Sequence, residues 1–388
     1  MVTSNQILAS GHQGMHDLQT SSSGADPPIW YVSDPAEETP PLLRPLIVVP
    51  GLFATEIYDD DLGFLWGPFK CMYAGPPIGE LSGLRGRPRN VVRGFPVIPR
   101  LYTYDLLGAL EKALVRAGYQ LGTTLHFFGY DWRQRVLDVG VQLAQEVRRL
   151  ADAHGGPVDM LGLSNGALVI RAAYVADRDP PVERVVTSGG PHAGSVETIS
   201  CLDRGYQFAP LGRTVSPEQF MACPGALEAA PKPGSVRFLA GDAHEASAAA
   251  MDLYDVAAWS KLHMSVFRRD SDDATWTSVM TKRLSDARET WRTLDGAAAP
   301  RHLYCICGTG LRTQIAIPVR DGRAWLPGEG NLAGLPPDAL GDGDGALTVE
   351  GASAWTGAAP EVIRIKVTRH RDTVRTPIAF NAILGALR

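Results

Sequence analysis

The chain has 388 residues, 45% of them hydrophobic, and a formal net charge of −5. That apolar content supports a globular core, and the acidic balance excludes the basic footprint of a nucleic-acid-binding protein. No run of about 18 apolar residues is present, which excludes a membrane-spanning helix. Met1 to Leu8 lack the basic and long apolar regions of a secretion signal.

Residues 1–42, rich in Ser, Gly, Pro and acidic side chains, read as a flexible N-terminal arm that Trp30 and Tyr31 pin in part to the body. From residue 43 strand and helix signals alternate. Leu46-Ile47-Val48-Val49 is a continuous apolar run, the pattern of a strand buried on both faces. Tyr104 to Ala117 carries Leu106, Leu107, Leu110, Ala113 and Leu114 on one helical face, closed by Gly118. Leu125 to Phe128 reads as a strand and Val136 to Ala153 as an amphipathic helix ended by Gly155-Gly156. Further strands are expected over Val182–Thr187 and Val362–Val367, and a terminal helix over Thr376–Leu387. Such alternation implies an α/β fold, a mainly parallel sheet with helices on both faces. Between about 195 and 300 the pattern loosens into helix-like pieces at Glu245–Leu253, Val256–His263 and Thr281–Leu294. An insertion of that length reads as a cap or lid over the active end of the sheet.

Gly162-Leu163-Ser164-Asn165-Gly166 lies between the apolar run Pro157 to Leu161 and the helical run Ala167 to Tyr174. A G-x-S-x-G between strand and helix places its serine on a sharp turn with the hydroxyl exposed above the sheet, so Ser164 is the candidate nucleophile. A serine needs a base, and the base an orienting acid. His370 follows the last expected strand, on a loop at the carboxyl end of the sheet where ligands bind, and is the candidate base. His302 opens a strand and is read as a strand residue. The acid belongs on a loop between Ser164 and His370. Gly341-Asp342-Gly343-Asp344-Gly345 supplies it, with Asp342 and Asp344 both eligible. Two backbone N–H donors complete an oxyanion hole: Asn165, just after the nucleophile, and Leu52, in the loop Val49-Pro50-Gly51-Leu52-Phe53.

The five cysteines, Cys71, Cys201, Cys223, Cys305 and Cys307, are an odd number without metal-ligand spacing, as expected of core thiols in a reducing, cytoplasmic setting. Richness in Ala, Gly, Pro and Arg is expected of a bacterial chain. His192 is read as a structural histidine near the active end. Trp132 and Arg133 are read as buried, with Asp131 and Arg133 paired beneath the site.

Taken together these residues resemble the lecithin:cholesterol acyltransferase (LCAT) family of α/β-hydrolases. The resemblance is carried by Val48-Val49-Pro50-Gly51, by Tyr130-Asp131-Trp132-Arg133, by Ser188 to Ser195, by Tyr304-Cys305 with Gly308 to Leu311, by Gly343 to Leu347 and by Asn381 to Gly385. It selects Asp344 over Asp342. The chain departs from the family in having Leu163 where a histidine usually precedes the nucleophile, and in several charged residues over 196–217. The resemblance implies an α/β-hydrolase domain over 43–388 and serine acyl transfer on lipid-like esters. The partners expected are an acyl-ester or acyl-thioester donor and an alcohol, amine or water acceptor, with no cofactor, metal or nucleic acid. The same three residues also suit a biosynthetic acyltransferase, cyclase or thioesterase working on a carrier-bound or peptidic substrate. A non-catalytic binding protein on the same fold is the remaining alternative.

Overall fold

Six short segments pair side by side in the computed structural model, which describes residues 43–67, 85–98, 102–207, 214–240, 250–268, 274–328 and 331–388. The strands are β1 (Leu46–Val49), β2 (Leu125–Phe127), β3 (Val158–Leu163), β4 (Val182–Ser188), β5 (His302–Thr309) and β6 (Glu361–Lys366). They stand in the order β2-β1-β3-β4-β5-β6, and every neighbouring pair is parallel. The chain leaves β1 toward one edge, then returns to β3 and builds toward the other. The order therefore reverses between β1 and β3, and the crevice beyond their carboxyl ends is where such sheets bind ligands. Pro50 and Ser164 stand at those two ends.

Alternate side chains of each strand point to opposite faces. Ile47, Val49, Met160, Cys305 and Cys307 join one buried cluster, while Leu46, Val48, Leu161, Leu163 and Ile306 join the other. The first face is covered by α2 (Val136–His154) and α3 (Gly166–Ala176), the second by α1 (Gly108–Arg116) and the terminal α6 (Pro377–Leu387). In α2 the buried stripe is Val139, Leu143, Val147 and Leu150. Burying each such side chain stabilises the fold by roughly 1.5–3 kcal/mol. The helix stops at Gly155, whose φ of +68° is a left-handed closure that glycine makes without a Cβ clash. Cys305 and Cys307 share a face, and both are free thiols, as is Cys223.

One expected helix begins late. Tyr104 lies in a strand, Tyr102–Asp105, paired antiparallel with Gly94–Ile98, and α1 starts only at Gly108. The N–H groups of Leu106, Leu107 and Gly108 converge on the Arg93 carbonyl, and Asp105 accepts from Ala109 N–H. These acceptors satisfy the donors that a longer helix would have used.

Within the stretch from about 195 to 300 lie α4 (Val196–Arg204), short helices at Pro217–Ala222, Pro224–Leu227 and Val256–Lys261, and α5 (Ala274–Leu294). The last is longer than its sequence signal, which begins at Thr281. Of the helix expected over Glu245–Leu253, residues 245–249 lie outside the described residues, and Met251 to Leu253 are not helical. The arm 1–42, with Trp30 and Tyr31, and Cys71 also lie outside them. The inserted stretch shares its core with the sheet: Ile199, Leu202, Phe220, Trp259 and Trp291 belong to the same cluster as α2 and α3. Buried Glu228 fastens the two. Its carboxylate accepts from Val136 N–H at 2.6 Å, at the N-terminus of α2, and from Thr290 Oγ1 at 2.7 Å on α5. A carboxylate suits the positive end of a helix. No described helix is long and apolar enough to cross a membrane.

Candidate active site

Ser164 sits in the tight turn between β3 and α3, with φ of +49°. Left-handed backbone is costly for a residue with a Cβ, and it persists only where the surroundings over-determine it. Here they do. Ser164 N–H donates to Ser188 O at 2.9 Å, and Ala167 N–H donates back to Ser164 O at 3.0 Å. Gly166 is obligatory for the approach: a Cβ there would lie 2.1 Å from Val49 O and 2.7 Å from Pro50 O. The start of α3 thus rests directly on the end of β1.

His370 opens a short 3-10 turn, His370–Val374, just beyond β6. Thr373 Oγ1 donates to His370 O at 2.8 Å, and Ser188 Oγ donates to Thr373 O at 2.5 Å, so the turn is pinned to the end of β4. The ring meets Ser164 Oγ through Nε2 at 3.1 Å and Asp344 Oδ2 through Nδ1 at 2.8 Å. Asp344 is 1% exposed, and its other oxygen accepts from Ala346 N–H at 2.9 Å and Leu347 N–H at 2.8 Å. The neighbouring candidate, Asp342, faces away from the histidine. It accepts from the Thr309 hydroxyl and from Gly310 N–H, and these hydrogen bonds lower its pKa.

Gly51 packs against the serine, where a Cβ would lie 3.2 Å from Ser164 Cβ. Leu52 and Asn165 both line the cavity over Ser164. Among the described residues neither of their backbone N–H groups has a hydrogen-bond partner. All five site residues named from sequence therefore meet at the crevice between β1 and β3.

The cavity measures about 230 Å³. Leu52, Phe53, Leu106, Phe220, Leu347 and Val374 give it largely apolar walls, and α4 adds Glu197, Thr198 and Cys201. Tyr104 and Arg371 stand on its wall, where the Arg371 guanidinium donates to the Tyr104 hydroxyl. The sequence named Glu197 only as one of the charged residues over 196–217, and did not point to Tyr104 or Arg371 as site residues. Only the position of Arg371 beside His370 offered a signal.

The remaining residues singled out by sequence are internal supports. His192 is fully buried against Trp355, and burial, with Arg171 beside it, pushes its pKa down to about 3. It is neutral at physiological pH. Arg133 and Asp131 are buried and joined by two hydrogen bonds of 2.8 Å. Trp132 is 2% exposed and packs on Phe53 with ring centroids 4.5 Å apart.

A parallel sheet reversing at β1/β3, a serine on a strained strand-to-helix turn and a histidine on the loop after the last strand define an α/β-hydrolase. Over residues 100–214 the chain matches the model of the lecithin:cholesterol acyltransferase family, and across that stretch it is LCAT-like. Among solved structures it superimposes on the Tle4–Tli4 complex with a TM-score of 0.59, at 14% identity, covering 89% of this chain and 98% of that one. A looser superposition, TM-score 0.38 at 14% identity, relates it to the mature Bacillus licheniformis lipase BlEst2, covering 91% of this chain and 96% of that one. A comparison with curated proteins finds no match.

Proposed function

We propose that this protein is a serine acyl-transfer enzyme, an O-acyltransferase or phospholipase-like acyl-ester hydrolase, that works through an acyl-Ser164 intermediate on a lipid-like ester. The observation that carries the reading is the hydrogen-bonded row Ser164–His370–Asp344 opening into an apolar cavity. Ser164 Oγ attacks the ester carbonyl as His370 Nε2 takes its proton. Asp344, hydrogen-bonded at Nδ1, holds the ring tautomer and offsets the imidazolium charge. The oxyanion accepts from the N–H groups of Leu52 and Asn165, each supplying about 3 kcal/mol of transition-state stabilisation. Collapse breaks the ester C–O bond, and the departing alcohol takes the proton from Nε2. In the second half, water or an acceptor alcohol gives its proton to Nε2 and attacks the acyl carbon. Ser164 is then released and recovers its proton.

The cavity walls suit the hydrocarbon of an acyl group, and the match to an acyltransferase family supports transfer to an alcohol. Residues from about 195 to 300 act as the cap, since α4 forms one wall of the cavity. Intact-protein mass spectrometry with a fluorophosphonate tests the mechanism. A single adduct on wild type, absent from Ser164→Ala, is expected. No adduct on folded wild type would leave a binding protein on a hydrolase fold. Product analysis on an ester with and without added alcohol then separates hydrolysis, which yields free acid, from transfer, which yields a new ester.

A further inference from the structure

The motif Tyr130-Asp131-Trp132-Arg133 touches no reacting atom, yet it holds the loop that carries Leu52. Tyr130 Oη donates to Pro50 O at 2.9 Å, and Tyr130 N–H donates to Thr55 Oγ1 at 3.3 Å. Trp132 Nε1 donates to Thr55 O at 3.2 Å, and its ring packs on Phe53. Both ends of the loop 50–55 are therefore tied to one tetrapeptide. The loop needs holding: Phe53 has φ of +66°, left-handed backbone that a bulky residue adopts only under constraint. One hydroxyl thus anchors Pro50, two residues before Leu52.

We infer that Tyr130 is a positioning residue that sets where the oxyanion donor Leu52 N–H stands, by holding Pro50 O through its hydroxyl. The inference rests on the acyl-transfer reading above and gives the tetrapeptide a part in it. Donor placement matters because the N–H groups must converge on the oxyanion rather than on the ground-state carbonyl. Small displacements of such groups cost up to about a hundredfold in rate.

The test compares wild type with Tyr130→Phe, which keeps the ring and deletes one hydroxyl. Each is assayed with p-nitrophenyl butyrate for kcat and KM and with a fluorophosphonate for the rate of Ser164 labelling, beside a thermal melt. In Tyr130→Phe we expect kcat and the labelling rate to fall together by about ten- to a hundredfold, with KM within about twofold. A merely structural tyrosine would lower the melting temperature and leave kcat per folded molecule unchanged, which overturns the inference. So does a loss carried by KM. Wild type that neither turns over the ester nor labels would sink the acyl-transfer reading and this inference with it, whereas an active wild type with an equally active Tyr130→Phe would sink the inference alone.

Discussion

Asp344 gives one carboxylate oxygen to His370 Nδ1 at 2.8 Å and the other to the backbone of its own turn, Ala346 and Leu347. The histidine is thereby held in the tautomer that leaves Nε2 free to accept from Ser164. We predict that Asp344→Asn keeps the fold and lowers kcat by about 10⁴, the penalty for the wrong tautomer in such a row. Asp342→Asn, on the far side of the same loop, should leave kcat within about threefold. Steady-state kinetics on the two purified variants decides, and equal losses would remove the distinction between the carboxylates.

The left-handed backbone at Ser164 stores strain that is independent of its hydroxyl. Both Ser164→Ala and Ser164→Gly should be inactive. Only the glycine variant relieves the strain, and it should exceed the alanine variant in stability by about 1 kcal/mol. Matched urea melts measure the difference. Indistinguishable midpoints would mean that the turn carries no strain.

Fully buried His192 gives the protein an acid-sensitive joint. Burial first, and the charge of Arg171 second, depress its pKa from 6.5 to about 3. The unfolded chain therefore binds a proton that the folded one refuses between those values. Stability associated with the neutral ring is fully present above about pH 6.5 and is lost as pH falls toward 3. By linkage the loss is on the order of 3–5 kcal/mol. His192→Gln should flatten the fall in urea midpoint across that window relative to wild type, and parallel curves would refute the assignment.

Cys201 lies on α4 and lines the cavity. If the cavity takes the acyl chain, Cys201→Trp should shorten the chain it admits. Activity on long-chain p-nitrophenyl esters should drop at least about tenfold more than activity on short-chain ones. A uniform loss across chain lengths would place the acyl group elsewhere.

Much of the site was legible because its parts announce themselves locally. Glycine at 162 and 166 around a serine, between strand and helix, marks a turn whose chemistry depends on neighbours in sequence. Gly341 to Gly345 and the residues after the last strand carry comparable short-range signals. The choice between Asp342 and Asp344 did not lie in their spacing. It was carried by a resemblance; in the structure the Asp344 carboxylate meets His370 Nδ1, and that of Asp342 meets Thr309 and Gly310. The late start of α1 was invisible from its apolar spacing, because the Arg93 carbonyl that gathers its first N–H groups lies outside the helix.

By itself the sequence determined the parallel sheet and pointed to the candidate site residues. Continuous apolar runs can only be buried on both faces, and a sharp strand-to-helix turn needs its glycines. Only the tertiary structure decided that Ser164 and His370, 206 residues apart, lie 3.1 Å from each other. It alone brought Tyr104, Glu197, Cys201 and Arg371 to one cavity, and it alone set the Tyr130 hydroxyl against Pro50 O. Hydrogen bonds and cavity walls form between segments whose separation along the chain carries no periodic signal, so their partners exist only once the sheet has fixed where each loop ends.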